Sequence, residues 1–170
     1  LNFAADMFEI DGDPALSGGT FTNTGFLSIV GGHANLNARL DNAGTITQSA
    51  GRLDFFQGTP TLNNLGLYEV TLTGDGDFLG NASNAEAFNN FGTLRRDGAL
   101  TASTGNVTFN NAASGIIEIV SGTLRMNSPG AMFGPIRKGM PAQVVPDLPN
   151  APQLDAKVVL VDRLIDAASN

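Results

Sequence analysis

An apolar–x–Asn–x–Gly unit, followed by a short apolar segment, recurs along residues 17–128 of the chain. Four copies keep this form, and a fifth carries two extra residues before its glycine. The asparagines of the five copies are Asn23, Asn42, Asn64, Asn90 and Asn111. They are 19, 22, 26 and 21 residues apart, so the repeat has a mean length of 22 residues. A period of this length is typical of proteins built from stacked structural repeats.

The residues that follow each glycine have the pattern of a short β-strand. The second residue past the glycine is apolar or aromatic in all five copies. These residues are Leu27, Ile46, Tyr68, Leu94 and Ile117. Apolar and polar residues alternate over 67–72 and over 117–119, and this period of two indicates a strand with one buried face. Because no long helical periodicity is present before residue 150, the chain is predicted to be all-β.

Short strands with Asn/Gly turns at this period predict a parallel β-solenoid of about five to six coils. One coil cannot bury its apolar side alone, whereas stacked coils share a continuous core. An asparagine at the same corner of every coil tolerates the left-handed backbone conformation and can bond the asparagines above and below it. We therefore predict that the five aligned asparagines form a structural ladder. The alternative is an antiparallel sandwich in which Asn-x-Gly marks hairpin turns.

The segment Phe-Asn-Asn-x-Gly-Thr-Leu at 88–94, with Phe-Asn-Asn at 109–111 and Ser-Gly-Thr-Leu at 121–124, resembles the repeats of large bacterial surface proteins. These are the adhesin-like β-solenoids of autotransporter passengers and filamentous-haemagglutinin-type exoproteins. The resemblance covers about residues 17–128 and implies a secreted or surface-exposed, right-handed parallel β-helix with a structural or adhesive role. That family has no common catalytic set, so the resemblance implies no catalytic residues.

Three regions are predicted along the chain. Residues 1–16 form a first coil or a cap, residues 17–133 the β-solenoid repeats, and residues 134–170 a Pro-rich extended tail with a terminal strand. An apolar run near the end of the tail is expected to act as an assembly strand that pairs with an exposed sheet edge. This run is Val158, Val159, Leu160 and Val161. The long third spacing predicts an excursion from the coil over 73–85.

Composition and charge exclude several classes of function. The chain has no cysteine and a single histidine, His33, which excludes zinc sites of cysteine and histidine, thiol catalysis and disulfide scaffolds. A net charge of −7, without a cluster of Lys and Arg, argues against nucleic-acid binding. No run of about 18 apolar residues is present, so we expect no membrane insertion. The chain begins at Leu1 without a signal-peptide pattern, and we expect a leader or a larger flanking region beyond this segment.

Two Asp-Gly-Asp pairs are candidates for metal binding. Asp11 and Asp13 form one pair, and Asp75 and Asp77 form the other. Hard oxygen ligands on a loop bent at glycine can hold calcium, but neither pair belongs to a complete calcium-binding loop. Calcium binding and a polar turn therefore both remain open for these residues, and no other cofactor is expected.

The third residue past the repeat glycine is charged in three successive copies, which hold Glu69, Arg95 and Glu118. We expect these side chains to stack on neighbouring coils and to pair as surface charges. The alternative is a catalytic row in which Arg95 is the base of a polysaccharide lyase. His33 follows two glycines and is expected to be a solvated turn residue rather than a catalyst.

These features favour a non-enzymatic structural or adhesive segment, and the resemblance implies that it belongs to a secreted bacterial surface, sheath or fibre protein located outside the cell or at its surface. We expect self-association through coil ends and the C-terminal tail, or contact with neighbouring domains of a larger protein, and a glycan or host-surface ligand stays open. The alternative is a carbohydrate-active module, either a lyase-like enzyme or a glycan-binding β-helix. Aromatic platforms would support that alternative, but the chain has one tyrosine, Tyr68, and no tryptophan.

Overall fold

The computed structural model describes residues 2–3, 7–82, 86–126, 141–144 and 154–157. The chain divides into two compact units, residues 1–132 and residues 133–170. The described residues form strands, turns and bends without a helix. No membrane-spanning helix is therefore present in the described part of the chain.

The first unit is built from short strands that alternate between two sheets. In chain order they are β1 (Asn2–Phe3), β2 (Met7–Ile10), β3 (Ala15–Asn23), β4 (Phe26–Ile29), β5 (His33–Asn42), β6 (Thr45–Gln48), β7 (Arg52–Phe55), β8 (Thr61–Asn64), β9 (Leu67–Val70), β10 (Gly76–Asp77), β11 (Leu79–Gly80), β12 (Ala87–Asn90), β13 (Thr93–Ser103), β14 (Thr108–Asn111) and β15 (Ile116–Arg125). One sheet contains β1, β3, β5, β7, β8, β11, β12 and β14, and the other contains β2, β4, β6, β9, β10, β13 and β15.

Every strand pairing in both sheets is parallel, and residues one repeat apart lie side by side. Strand β6 on β4 aligns Ile46 with Leu27, and β9 on β6 aligns Tyr68 with Ile46. The chain thus forms a β-solenoid of about five turns, and the predicted fold class is confirmed. The alternative of an antiparallel sandwich is wrong, because parallel strands need a crossover between them rather than a hairpin.

Alternate side chains of each strand point into the stack. In β9 the second and fourth residues, Tyr68 and Val70, are buried, whereas the first and third are partly exposed. The ring of Phe88 lies 5.3 Å from the ring of Tyr68 and 5.3 Å from that of Phe109, measured between ring centres. The Tyr68 hydroxyl donates to Gln48 Oε1 at 2.7 Å, and burial raises the pKa of this phenol. Each coil therefore supplies part of the core that buries its neighbours.

The repeat glycines lie where consecutive coils approach most closely. A Cβ atom at Gly92 would lie 2.2 Å from the carbonyl oxygen of Gly66, and one at Gly66 would lie 2.1 Å from that of Gly44. Neither Gly66 nor Gly92 has a positive φ. The repeat therefore needs glycine for close contact between backbones and not for an unusual backbone conformation.

The N-terminal segment predicted as a first coil or a cap contributes a strand to each sheet. Strand β1 pairs with β3, and β2 pairs with β4. Both pairings are parallel and continue the register of the coils that follow. Residues 2–3 and 7–10 therefore extend the stack at its N-terminal end.

The segment predicted to leave the coil over 73–85 rejoins both sheets. Strand β10 pairs with Ala102 and Ser103 of the next coil, while β11 pairs with Leu53 and Asp54 of the previous one. Between these strands Phe78 is completely buried. The apolar residues Phe78 and Leu79 thus hold the middle of the insertion in the core, which the spacing alone did not reveal. Residues 83–85 lie outside the described part.

The second unit contains one antiparallel pair within its described residues. Strand β16 (Pro141–Val144) pairs with β17 (Leu154–Lys157). The predicted assembly strand, Val158, Val159, Leu160 and Val161, lies outside the described residues. Most of the predicted Pro-rich tail also lies outside them, so its extended form stays a prediction.

Candidate functional site

The five asparagines aligned from the sequence lie at one corner of the stack and form the inner ladder. The side-chain amide of each of the first four donates to Oδ1 of the next along the chain. The N···O distances are 2.7, 2.7, 2.8 and 2.7 Å for Asn23–Asn42, Asn42–Asn64, Asn64–Asn90 and Asn90–Asn111. Each of the first four amides also donates to a backbone carbonyl of the next coil, and these carbonyls belong to Thr45, Leu67, Thr93 and Ile116. The first four asparagines are completely buried.

The inner ladder is closed at its C-terminal end by its own turn. Asn111 donates to the carbonyl oxygens of Ala112 and Gly115, at 3.4 and 2.8 Å, in place of a further coil. This is the copy with two extra residues before its glycine. At the N-terminal end, the register places Phe3 beside Asn23, so the ladder starts at Asn23.

A second column of amides, the outer ladder, was not predicted from the sequence. It consists of Asp41, Asn63, Asn89 and Asn110. Each asparagine donates to the preceding member, with N···O distances of 2.7, 2.9 and 2.9 Å in chain order. The column runs in the direction opposite to the inner ladder, because the Asp41 carboxylate can only accept and Asn63 must donate to it. The signal was present in the doubled Asn-Asn of three repeat copies.

Asp41 anchors the outer ladder. Arg39 Nε donates to both carboxylate oxygens of Asp41, at 2.8 and 2.9 Å. Burial raises the pKa of Asp41, but hydrogen bonds from Arg39 and Asn63, together with the charge of Arg39, outweigh it and leave the pKa below its usual value. Asp41 therefore remains ionised, which preserves the direction of the ladder.

The three charged residues predicted to stack form one row on the outer face. Glu69, Arg95 and Glu118 occupy the same register position in three neighbouring strands. Arg95 Nε donates to Glu118 Oε2 at 2.8 Å, and Nη1 donates to Glu69 Oε1 at 3.4 Å. The hydrogen bond to Glu118 is the largest cause that raises the pKa of Arg95. A guanidinium held in this way keeps its proton, which disfavours a role for Arg95 as a general base.

His33 lies beside an aspartate that already has a partner. Its Nδ1 is 3.5 Å from Oδ2 of Asp54, while Arg52 Nη2 donates to the same oxygen at 3.1 Å. The backbone amide of His33 donates to Asp13 Oδ1 at 2.6 Å. The side chain of His33 is exposed as predicted, but the residue begins strand β5 and pairs with Arg52 of β7 instead of lying in a turn.

Members of the two Asp-Gly-Asp pairs bond to backbone amides. Asp11 Oδ1 accepts from Gly12 at 2.9 Å, and Asp75 Oδ1 accepts from Thr101 at 2.6 Å. Asp13 accepts from a neighbouring coil as described above. Among the described residues, no group of three or more His, Cys, Asp or Glu side chains is arranged to hold a metal ion. The bonds of Asp11 and Asp75 to backbone amides are those expected in polar turns, whereas Asp77 lies in strand β10.

A polar groove of about 410 Å³ opens beside the second of these pairs. Its lining residues are Asp75, Gly76, Asp77, Thr101, Ser103 and Arg125. A smaller cleft of about 250 Å³ lies on the other side of Asp75–Asp77, next to Ser49 and Gly51. The sequence did not predict this groove, because it forms where the insertion changes pairing partners from one coil to the next.

No family model matches the chain, and neither a curated protein nor a solved structure is significantly similar to it. The function is therefore inferred from the ladders, the charged row and the groove.

Replacing one inner asparagine should destabilise the first unit far more than replacing its neighbour in the outer ladder. Asn64→Ala leaves the amide of Asn42 without its acceptor and Oδ1 of Asn90 without its donor, both in a buried position. Two orphaned groups should lower the free energy of unfolding by roughly 2–4 kcal/mol. Urea unfolding followed by circular dichroism measures this loss.

Asn63→Ala is the matched control, because it removes an asparagine of the same coil whose position is only partly buried. We expect a loss below about 1 kcal/mol, since water can replace its partners. Equal losses for the two variants would contradict a special role for the inner ladder.

Proposed function

We propose that this chain is a non-enzymatic structural or adhesive segment of a secreted bacterial surface, sheath or fibre protein. The observation that carries the proposal is the pair of amide ladders, which connect consecutive coils along one corner of the solenoid. Such columns add side-chain hydrogen bonds to the backbone bonds between parallel strands. A stack reinforced in this way suits a protein that spaces or displays other parts outside the cell.

The pairing of surface charges also supports a structural role. Glu69 and Glu118 both contact Arg95 from neighbouring coils, whereas Asp54 contacts Arg52 within strand β7. Charged groups that satisfy one another across coils stabilise the stack, although each exposed pair contributes only about 0.2–1 kcal/mol. The same pairing makes Arg95 less suited to acid–base work, because it moves the pKa of Arg95 further from the neutral range in which a general base works.

The carbohydrate-active alternative keeps one observation in its favour, the polar groove at Asp75–Asp77. An enzyme of the lyase type would use the row of Glu69, Arg95 and Glu118. The raised pKa of Arg95 weighs against that mechanism. A groove that binds a glycan without cleaving it is compatible with an adhesive surface protein.

The cellular location tests the proposed function directly. Antibodies raised against residues 1–132 should label intact cells of the producing organism, because the proposal places the solenoid outside the envelope. A known cytoplasmic protein of the same cells serves as the control and should be labelled only after permeabilisation. Labelling of the solenoid only in permeabilised cells would contradict an extracellular role.

We also propose that the chain associates with copies of itself or with neighbouring domains, through its coil ends and its C-terminal tail. The exposed apolar residues Ile116 and Val120 lie on β15, an edge strand of its sheet within the described residues, and they support this idea. Because Asn111 bonds within its own turn, the proposed association does not require the inner ladder to continue from one copy to the next.

Truncation after Gly134 should reduce association while leaving the solenoid folded, because the proposed assembly strand is removed with residues 135–170. Light scattering over a concentration series measures the size of both forms, and circular dichroism checks the fold. If the full chain associates and the truncated chain does so equally, the tail is not the assembly element. If the truncated chain instead aggregates through its last coil, the tail is a cap and not a link between subunits.

A further inference from the structure

Three consecutive coils place complementary polar groups at one position of the polar groove. Strand β10 aligns Asp77 with Ser103, and β13 aligns Ser103 with Arg125. Neighbouring strands lie about 4.8 Å apart, so a carboxylate, a hydroxyl and a guanidinium follow one another along the axis. We name these three residues the groove column.

The members of the groove column retain hydrogen-bonding capacity. Within the described residues, the side chains of Asp77 and Arg125 make no hydrogen bond, and the Arg125 backbone carbonyl accepts from the Thr104 amide at 3.0 Å. Ser103 is more than nine-tenths buried, and its Oγ accepts from the amide of Gly105 at 3.0 Å. Its hydroxyl proton has no acceptor in the described part. The column therefore offers an acceptor, a buried donor and a planar pair of donors to a ligand in the groove.

A buried arginine fixes the two walls of the groove. Arg96 is completely buried, and its Nη2 donates to the carbonyl oxygens of Leu72 and Leu100, at 3.1 and 2.9 Å. Its Nη1 donates to the carbonyl oxygen of Val70 at 2.9 Å. Leu72 and Leu100 precede the segments that carry Asp75 and Thr101, one on each wall. The hydrogen bond from the Thr101 amide to Asp75 joins the same walls at 2.6 Å.

The placement of Arg96 is unfavourable for the core alone. Its neighbours at the same register position are Val70 and Ile119, which are apolar. Among the described residues no carboxylate hydrogen-bonds to it, and its Nε has no hydrogen-bond partner. Burial lowers the pKa of Arg96 more than the charges of Asp97 and Asp75 raise it. Buried charges without an ionic partner are strongly destabilising, and a well-packed apolar residue is often neutral or better in such a place. A Cβ atom at Gly98 would lie 2.3 Å from Nη1 of Arg96, so the glycine two residues further along leaves room for the guanidinium.

We propose that the groove column binds a neutral saccharide, with Arg96 as the positioning residue that holds the walls apart. Sugar hydroxyls donate to the Asp77 carboxylate and accept from the Arg125 guanidinium. A sugar hydroxyl between these two residues accepts from the Ser103 hydroxyl or donates to it. An amine would use only the carboxylate and a phosphate only the guanidinium, whereas a polyhydroxylated ligand uses all three groups. The inference rests on the proposed adhesive role, for which it names the class of ligand.

Isothermal titration of the full chain with neutral cello-, xylo-, manno- and malto-oligosaccharides tests the proposal. At least one of them should bind with a Kd below about 1 mM. Asp77→Asn and Arg125→Met should each weaken that binding roughly tenfold or more, because each removes a charged hydrogen-bond partner. Arg39→Met is the control, since Arg39 lies at the outer ladder, and it should leave the Kd unchanged. Phosphate and ethanolamine should bind more weakly than the oligosaccharide.

Arg96→Met separates positioning from folding. We expect a thermal midpoint equal to or above that of the parent chain, together with loss of saccharide binding and faster hydrogen exchange at the Thr101 amide. Unchanged binding in this variant would overturn the positioning role of Arg96.

The site itself is overturned if no oligosaccharide binds, if Asp77→Asn and Arg125→Met leave the Kd unchanged, or if phosphate or ethanolamine binds as tightly. Surface labelling of cells is independent of these results, so the ligand and the proposed function can fail separately. Conversion of the bound oligosaccharide to products would retain the site and contradict the non-enzymatic function.

Discussion

Successive coils of the solenoid bury side-chain amides, and a buried amide must find hydrogen-bond partners. In the inner ladder both N–H groups and the carbonyl oxygen of Asn42 and Asn64 are satisfied by the coils on either side. Water cannot reach these positions, so a shift of one coil by a single residue would leave several polar groups without partners. The ladder therefore selects one register, and the strands on both sides of the corner must follow it.

The other regular features of the first unit are consequences of that register. Once the corner asparagines are stacked, backbones approach so closely at Gly66 and Gly92 that no side chain fits there. The strand after the corner then places equivalent residues in columns. Inward columns become the core, as with Tyr68, and outward columns bring Arg95 between two glutamates. Local sequence preference, packing and surface charge thus agree on one structure, which is the condition for a well-defined fold.

The sequence was informative wherever a residue repeats at a constant offset from the glycine. Asn64 and Arg95 could be placed in columns because equal offsets in neighbouring coils become neighbouring positions in a parallel sheet. The outer ladder was present in the same pattern, since Asn63 and Asn89 precede inner-ladder asparagines, but its direction depends on Asp41. Because the Asp41 carboxylate can only accept, it sets the direction of the outer ladder, but its contact with Asn63 is known only from the structure.

Features that depend on a change of coil length could not be predicted. The burial of Phe78 and the groove beside Asp77 arise because one inserted segment pairs backward with one coil and forward with another. Arg96 occupies an inward position whose neighbours are apolar, and a period-of-two pattern gives no reason to expect a charge there. Its carbonyl partners come from segments before and after the strand, so the site exists only in the folded stack.

Hydrogen exchange of the asparagine side-chain amides, followed by NMR, tests the central role of the inner ladder most directly. The account predicts that the Nδ2 protons of Asn42, Asn64 and Asn90 exchange as slowly as the core backbone amides, because both require the stack to open. The Nδ2 protons of Asn63 and Asn89 should exchange much faster, since these side chains are partly exposed. Equally fast exchange of both sets would contradict the claim that the buried amides fix the register of the coils.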